Sequence, residues 1–242
     1  MFKNPKRWHR TLGLYIFFAG VLLGMVFSAL LTWADFEASV FDRPTDSKAS
    51  KLGSLRCPVM LNQQETGTVR ATFDNPTDYA ARRTIDSNIS QGFVILMREE
   101  RTRIDLEPGE KRTLQWTISP EDAAWGRFVL VHIETQRSGS LPSRSGSCGV
   151  LVANLPIGTG IQITIFIVVV SLLLIVIGTI LWRRGTEVQH KDLRTIDYLA
   201  LALGPFTLLA LIMGLLGIWL VSFILIVVAV LTMVTIVTWV LS

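Results

Sequence analysis

Reactive side chains are scarce in this chain. Its 242 residues include three histidines, two cysteines and three tyrosines. There is no C-x-x-C, no G-x-S-x-G, no P-loop and no dinucleotide fingerprint, which removes the usual short signatures of redox, acyl-transfer and nucleotide chemistry. His9, His132 and His190 are far apart in sequence and lack the cysteine or carboxylate spacing of a metal centre. His9 and His190 read as headgroup contacts, and His132 reads as solvent-facing because it alternates with Val131 and Ile133. Glu99-Glu100, inside Arg98-Glu-Glu-Arg-Thr-Arg103, reads as a solvated turn, and Glu121-Asp122 after Pro120 as a turn or helix start. No catalytic residue, cofactor or metal is expected. The Asn88-Ile-Ser90 sequon would matter only in a eukaryotic secretory pathway.

Charge is absent from the long apolar runs. Half of all residues are hydrophobic, and they are concentrated in blocks, which marks an integral membrane protein. Thr11–Trp33 carries no charge, and its 23 residues suffice to cross about 30 Å of hydrocarbon. Lys3, Lys6, Arg7 and Arg10 precede it as a cytoplasmic basic tail, residues 1–10. A cleaved signal peptide, with Phe27-Ser-Ala29 near the cleavage site, is the competing reading of this first span, residues 11–33. Ile157–Trp182 is a second span, stopped by Arg183 and Arg184. A cytoplasmic loop covers 183–197, and the uncharged stretch 198–241 is too long for one helix. It is read as spans 198–216 and 217–241 reversing around Gly214 to Gly217, with a re-entrant hairpin as the alternative. Four transmembrane α-helices with both termini cytoplasmic result.

Counting charge by compartment tests that topology independently of hydropathy. Segment 35–156 holds 15 Lys/Arg and 16 Asp/Glu, while the basic tail and the 183–197 loop together contribute +5, which recovers the net +4 of the chain. The excess positive charge therefore lies on the cytoplasmic side. The high pI reflects membrane orientation and attraction to anionic lipids, and nucleic-acid binding is not expected. The spans contain no Asp, Glu, Lys, Arg or His, which argues against a pore or pump. Gln162, Thr164, Ser171, Thr179, Thr207 and Ser222 are small or weakly polar groups able to join helices through close packing and hydrogen bonds. Thr232, Thr235 and Thr238 recur every three residues and are the candidate helix-packing face, with Gly214 and Gly217 as close-packing positions, and threonine merely tolerated in such helices is the bland alternative. Gly204-Pro205 is expected to kink the third span.

Between the first two spans, residues 34–156 read as an extracytoplasmic all-β domain. Strand signals recur at 59–61, 66–73, 85–90, 93–97, 103–106, 111–118, 127–135 and 148–154. They are separated by turn formers such as Asn75-Pro-Thr-Asp78 and Glu107-Pro-Gly-Glu110. The segment Gln136-Arg-Ser-Gly-Ser-Leu-Pro-Ser-Arg-Ser-Gly-Ser-Cys-Gly149 reads as a mobile loop. Cys57 and Cys148 bracket most of the domain and suit a structural disulfide in an oxidising compartment. Closing a loop of about 90 residues would remove roughly 4–5 kcal/mol of unfolded-chain entropy. A redox-active or metal-binding cysteine pair is the unsupported alternative.

The run Thr68-Val-Arg-Ala-Thr-Phe-Asp-Asn-Pro-Thr-Asp78, then Arg103-Ile-Asp-Leu-Glu-Pro-Gly-Glu110 with Leu114, Trp116 and Ile118, then Gly126–Thr135, resembles the immunoglobulin-like modules of bacterial surface proteins, the CARDB and NEW3 type. The resemblance covers residues 55–155 and not the helices. It implies an immunoglobulin-like β-sandwich, an adhesive or scaffolding role without catalytic residues, and a prokaryotic plasma membrane. The cysteine pair departs from the usual intersheet bridge. The leading expectation is a non-enzymatic accessory or assembly subunit whose helices contact membrane lipids and other membrane protein subunits. A free-standing receptor or adhesin, binding polysaccharide or an envelope protein through loops 98–103 and 136–147, is the alternative. A membrane enzyme sharing its site with a partner is the third reading.

Overall fold

The computed structural model describes residues 5–42, 49–139, 141–156, 158–185 and 191–241. The chain divides into two compact units, Met1–Thr32 with Thr164–Ser242, and Trp33–Ile163.

The first unit is helical. It contains most of α1 (Pro5–Phe41), α2 (Gly160–Gly185), α3 (Lys191–Leu215) and α4 (Trp219–Leu241). By length and composition, Trp8–Phe41 and Gly160–Arg184 can each cross a membrane, while Leu201–Leu215 and Trp219–Thr235 are shorter apolar helices among the described residues. Two boundaries differ from the sequence reading. α1 continues about two turns past residue 33, because Ala34-Asp-Phe-Glu-Ala-Ser-Val-Phe41 contains no helix breaker. α3 begins at Lys191, so part of the expected 183–197 loop is helical. The reversal between α3 and α4 lies where the glycines suggested. Gly217 takes the left-handed conformation (φ 69°); its N–H bonds Gly214 O at 3.0 Å and the Ile218 N–H bonds Met213 O at 2.9 Å. This paired ending is the Schellman motif, in which glycine closes a helix by satisfying its last carbonyls. Pro205 lies inside α3 without ending it.

The second unit is a β-domain of two sheets, with the last turns of α1 and the first of α2. The strands are β1 (Ser50–Lys51), β2 (Met60–Asn62), β3 (Gly67–Asp74), β4 (Ala81–Gln91), β5 (Phe93–Leu106), β6 (Lys111–Ile118), β7 (Phe128–Thr135) and β8 (Arg144–Ala153). The larger sheet has the order β1-β8-β7-β4-β5, with β2 also pairing β8; β3 and β6 form the smaller one. Apolar side chains of both sheets meet in one buried cluster, including Val69, Phe73, Trp116 and Ile118 from the small sheet and Ile85, Ile89, Val131, Ile133 and Val150 from the large one. That shared core is the physical reason the alternating patterns of β3, β4 and β6 persist in the fold.

Two segments depart from expectation. Arg98–Arg103 is the middle of the continuous β5, paired residue for residue with β4. Its charges are accommodated because the outward face of an edge strand is solvated, and Arg101 pairs with Asp86 at 2.6 Å. The second half of the Ser/Gly-rich loop, from Arg144, forms β8. Ser and Gly are tolerated there because β7 and the parallel strands β1 and β2 supply ladder partners on both sides.

Asn75 ties two turns together. Almost fully enclosed, its side-chain amide donates to Tyr79 O at 2.8 Å, Leu106 O at 3.0 Å and Glu107 O at 3.2 Å. Its carbonyl accepts from Gly109 N–H at 2.8 Å, and its N–H donates to Glu110 O at 3.0 Å. The Asn75–Asp78 and Leu106–Glu110 segments, distant in sequence, thus form one hydrogen-bonded corner. Gly109 provides the positive φ of 73° that the second turn requires.

Candidate functional site

Within the β-domain, Cys57 and Cys148 are bonded, with Cα atoms 6.5 Å apart. Cys57 lies in the connection from β1 to β2, and Cys148 opposes Val131 in the centre of the sheet. Since β1 and β2 lie at successive positions along one edge of β8, the bridge pins the link between them to that strand.

The opposite face of the large sheet is covered by the end of α1. Gly149 in β8 lets α1 approach closely: its N–H donates to Asp35 Oδ1 at 3.0 Å, and a methyl group there would overlap the Ala34 carbonyl. Ala34 and Ala38 are fully buried. Further along, Asn88 Nδ2 donates to Asp42 Oδ2. His132, paired across the ladder with Asn88 and Ser147, is 4% exposed. This corrects the solvent-facing reading: β7 is central in the sheet, with both faces covered. Neither imidazole nitrogen has a hydrogen-bond partner among the described residues. Burial holds the His132 imidazole below the usual histidine range, against the pull of Asp42 and Glu134.

The start of α2 is held by the same unit. Glu65 Oε2 accepts from the Gly160 N–H at 2.6 Å and from Asn62 N–H at 3.2 Å. Asn62 Nδ2 donates to Leu155 O at 3.0 Å and Gly158 O at 2.7 Å. A carboxylate at the helix N-terminus satisfies an otherwise unpaired donor and complements the dipole. At the other end of α2, Arg183 and Arg184 occupy the last turn and are exposed, which suits that helix terminus equally. Lys6, Arg7 and Arg10 fall in the first turns of α1, whereas Lys3 and His190 lie outside the described residues.

In the helical unit, glycines set the contacts. A methyl group at Gly13 would overlap the Trp182 backbone, and one at Gly178 would overlap Phe17. Gly20 abuts Ile175, and Gly24 abuts Ser171 and Thr207. Small residues permit such approach where helices meet in lipid. The spacing Gly20-x-x-x-Gly24 is the sequence signal that the threonine-based reading passed over. Polar contacts converge on Ser222: Thr32 Oγ1 donates to its hydroxyl at 2.8 Å, Ser28 Oγ lies 3.1 Å from it, and Ser222 donates to Ala210 O at 2.9 Å. Ser171 donates to Gly20 O at 2.9 Å.

Thr232, Thr235 and Thr238 play no part in this network. Their hydroxyls donate to Val228 O at 2.8 Å, Leu231 O at 2.7 Å and Thr235 O at 3.0 Å on their own helix. A threonine on an outward helix face satisfies itself on a preceding carbonyl when nothing else is in reach. Gly214 is buried near Ser28, Leu31 and Ser222, while Gly217 belongs to the turn.

Among the described residues, no group of three or more His, Cys, Asp or Glu could hold a metal ion. No family model matches the sequence, and no curated protein matches it. Solved structures similar to part of the chain include a β-glucosidase from Listeria innocua, 17% identical over 42% of this chain and 16% of that one, TM-score 0.31. A Paenibacillus cycloisomaltooligosaccharide glucanotransferase is 14% identical over 43% and 14%, TM-score 0.32, and Bacteroides uniformis β-glucuronidase 2 is 14% identical over 40% and 12%, TM-score 0.29. The chain spans less than a fifth of these enzymes' length, and likeness at this level carries no functional argument.

Proposed function

We propose that the chain is a non-enzymatic accessory or assembly subunit of a membrane protein complex, four-spanning in a prokaryotic plasma membrane, with both termini cytoplasmic and the β-domain outside. The observation that carries this reading is the outward surface of α2 and α4. Ile165, Phe166, Val169, Leu173, Val227 and Leu231 are exposed, while the hydroxyls of Ser171 and Ser222 are satisfied within the helical unit. Helices with their polar groups resolved internally and their lateral faces apolar suit lipid and the helices of larger partners.

For the outer domain we propose the immunoglobulin-like class. Support comes from the sheet order: β8, β7, β4 and β5 correspond to strands G, F, C and C′, β1 and β2 to a first strand running parallel to G, and β3 with β6 to the B–E pair.

The test is purification of the tagged full-length chain from its native membrane in mild detergent, with mass spectrometry of whatever co-migrates at fixed stoichiometry. A discrete complex that is lost when 157–242 is replaced by an unrelated anchor supports the subunit reading. Recovery of the chain alone sinks it and favours the receptor or adhesin alternative, which ligand screens on the outer domain would pursue.

A further inference from the structure

One end of the β-domain gathers exposed apolar side chains beside the point where α2 starts. The registers define this end. Phe128 opposes Leu151, Ile89 opposes Val131, and Gln91 opposes Phe93 across the β4–β5 hairpin. β2 pairs Met60–Asn62 with Leu151–Ala153. The hairpin tip at Gly92, the turn before β7, the end of β8 and the first turn of α2 at Gly160 therefore share one edge of the domain. The opposite edge holds the Leu106–Lys111 turn and the start of β4.

Trp125 is the prominent side chain of this rim. It is 59% exposed and is the one non-glycine residue with positive φ, 50°, among the described residues. A bulky residue rarely holds this conformation unless its surroundings enforce it. Here the enforcement is visible: Trp125 N–H donates to Gly92 O at 3.0 Å, Gly126 N–H to Ala123 O at 3.2 Å, and Val152 N–H to Arg127 O at 2.7 Å. The indole is thus presented outward on a braced turn. Leu96 and Leu155 are exposed on the same rim, as is Ile161 in the first turn of α2. Arg127 is exposed beside them, and the Glu65 carboxylate is already engaged by Gly160 and Asn62.

We propose that this rim is a lipid-interface anchor, in which Trp125, flanked by Leu96 and Leu155, sits at the headgroup level of the bilayer that α2 enters. An amphipathic indole suits that boundary. The apolar run of α2 begins at the same edge of the domain, which is what selects a bilayer as the occupant over a separate protein. The proposal rests on the membrane reading above.

The experiment uses the full-length protein in phosphatidylcholine–phosphatidylglycerol vesicles. The native cysteines are bonded to each other, so a single introduced cysteine can carry a nitroxide. Labels at Arg127→Cys on the rim, Glu107→Cys on the opposite edge and Val169→Cys on α2 are compared by collision with oxygen, which concentrates in lipid, and with a water-soluble nickel chelate. The expected result is an oxygen-to-nickel ratio at 127 several-fold above that at 107 and below that at 169, falling to the level of 107 when Trp125→Ser is added. A ratio at 127 equal to that at 107, with 169 in lipid, overturns the anchor and leaves the membrane reading standing. So does a ratio at 127 that Trp125→Ser does not change. A water-exposed label at 169 overturns the membrane reading itself and the anchor with it.

Discussion

Single side chains decide the integrity of this fold at positions where a polar group or a missing methyl has no substitute. Asn75 is the strongest example, since three backbone carbonyls depend on its amide. Asn75→Ala leaves them short of a donor at a buried corner, and a loss of about 2–3 kcal/mol is expected, read as a lowered denaturant midpoint of the oxidised protein. His132 gives a pH dependence whose sign follows from its burial. Its folded pKa is depressed, so the neutral form is favoured in the fold; the associated stability is fully present above the unfolded value near 6.5 and is lost as pH falls below it. Between pH 7.5 and 5.5 the melting temperature should therefore fall more in wild type than in His132→Phe, with Asp42 and Glu134 common to both. Equal slopes would show that the imidazole does not titrate against the fold. Strand alternation places His132 toward solvent because it states which residues share a face and not what covers that face. Nothing in Phe128–Thr135 indicates that the last turns of α1 lie against it.

At the scale of elements, the two helix pairs and the disulfide are each held by a nameable device. The α3–α4 reversal was legible because Gly217 is required by a left-handed helix end, a purely local demand. Helix contacts were less legible. Threonine spacing points to one face of α4, whereas the contacts run through Gly13, Gly20, Gly24 and Gly178, through the Ser28–Thr32–Ser222 group and through Ser171, of which Ser171 and Ser222 are among the weakly polar candidates of the sequence. Helical periodicity identifies a face, but several faces of a uniformly apolar helix are equivalent until a neighbour selects one. Gly178→Leu should separate α1 from α2, since its side chain would have to occupy the backbone of Phe17, and detergent-solubilised protein should lose helicity at a lower temperature. Ser222→Ala should cost about 0.5–1.5 kcal/mol, measurable by the same melts. For the disulfide, whose partners are 91 residues apart, Cys57→Ser with Cys148→Ser should cost roughly 4–5 kcal/mol in the loop-closure model. Reduction of wild type should reproduce that loss, and a reduced protein as stable as the oxidised one would show that native contacts alone hold β1 and β2 on β8.

For the whole molecule, the testable consequence of the proposed topology is asymmetric accessibility. A membrane-impermeant thiol reagent applied to intact cells should label Glu107→Cys and spare Arg184→Cys, and permeabilisation should expose both. Labelling of Arg184→Cys in sealed cells would invert or abolish the four-span reading. The charge distribution carries this prediction, because the basic excess lies in the tail and in 183–197, and segments rich in Lys and Arg beside a span favour the cytoplasmic side.

Sequence alone determined the apolar blocks, the segregation of charge, the positions of most strands and the glycine-closed reversal, because each follows from chain-local chemistry: transfer free energy, the period-two pleat, or a permitted φ. Only the tertiary structure decided that α1 extends over the sheet to bury His132, that Arg98–Arg103 is strand instead of turn, that the helix contacts run through Gly13, Gly20, Gly24, Gly178 and the Ser28–Thr32–Ser222 group instead of Thr232, Thr235 and Thr238, and that Trp125 points outward beside the start of α2. These depend on which surface each element meets, and a single chain's pattern records a residue's preference for burial without recording the partner that provides it.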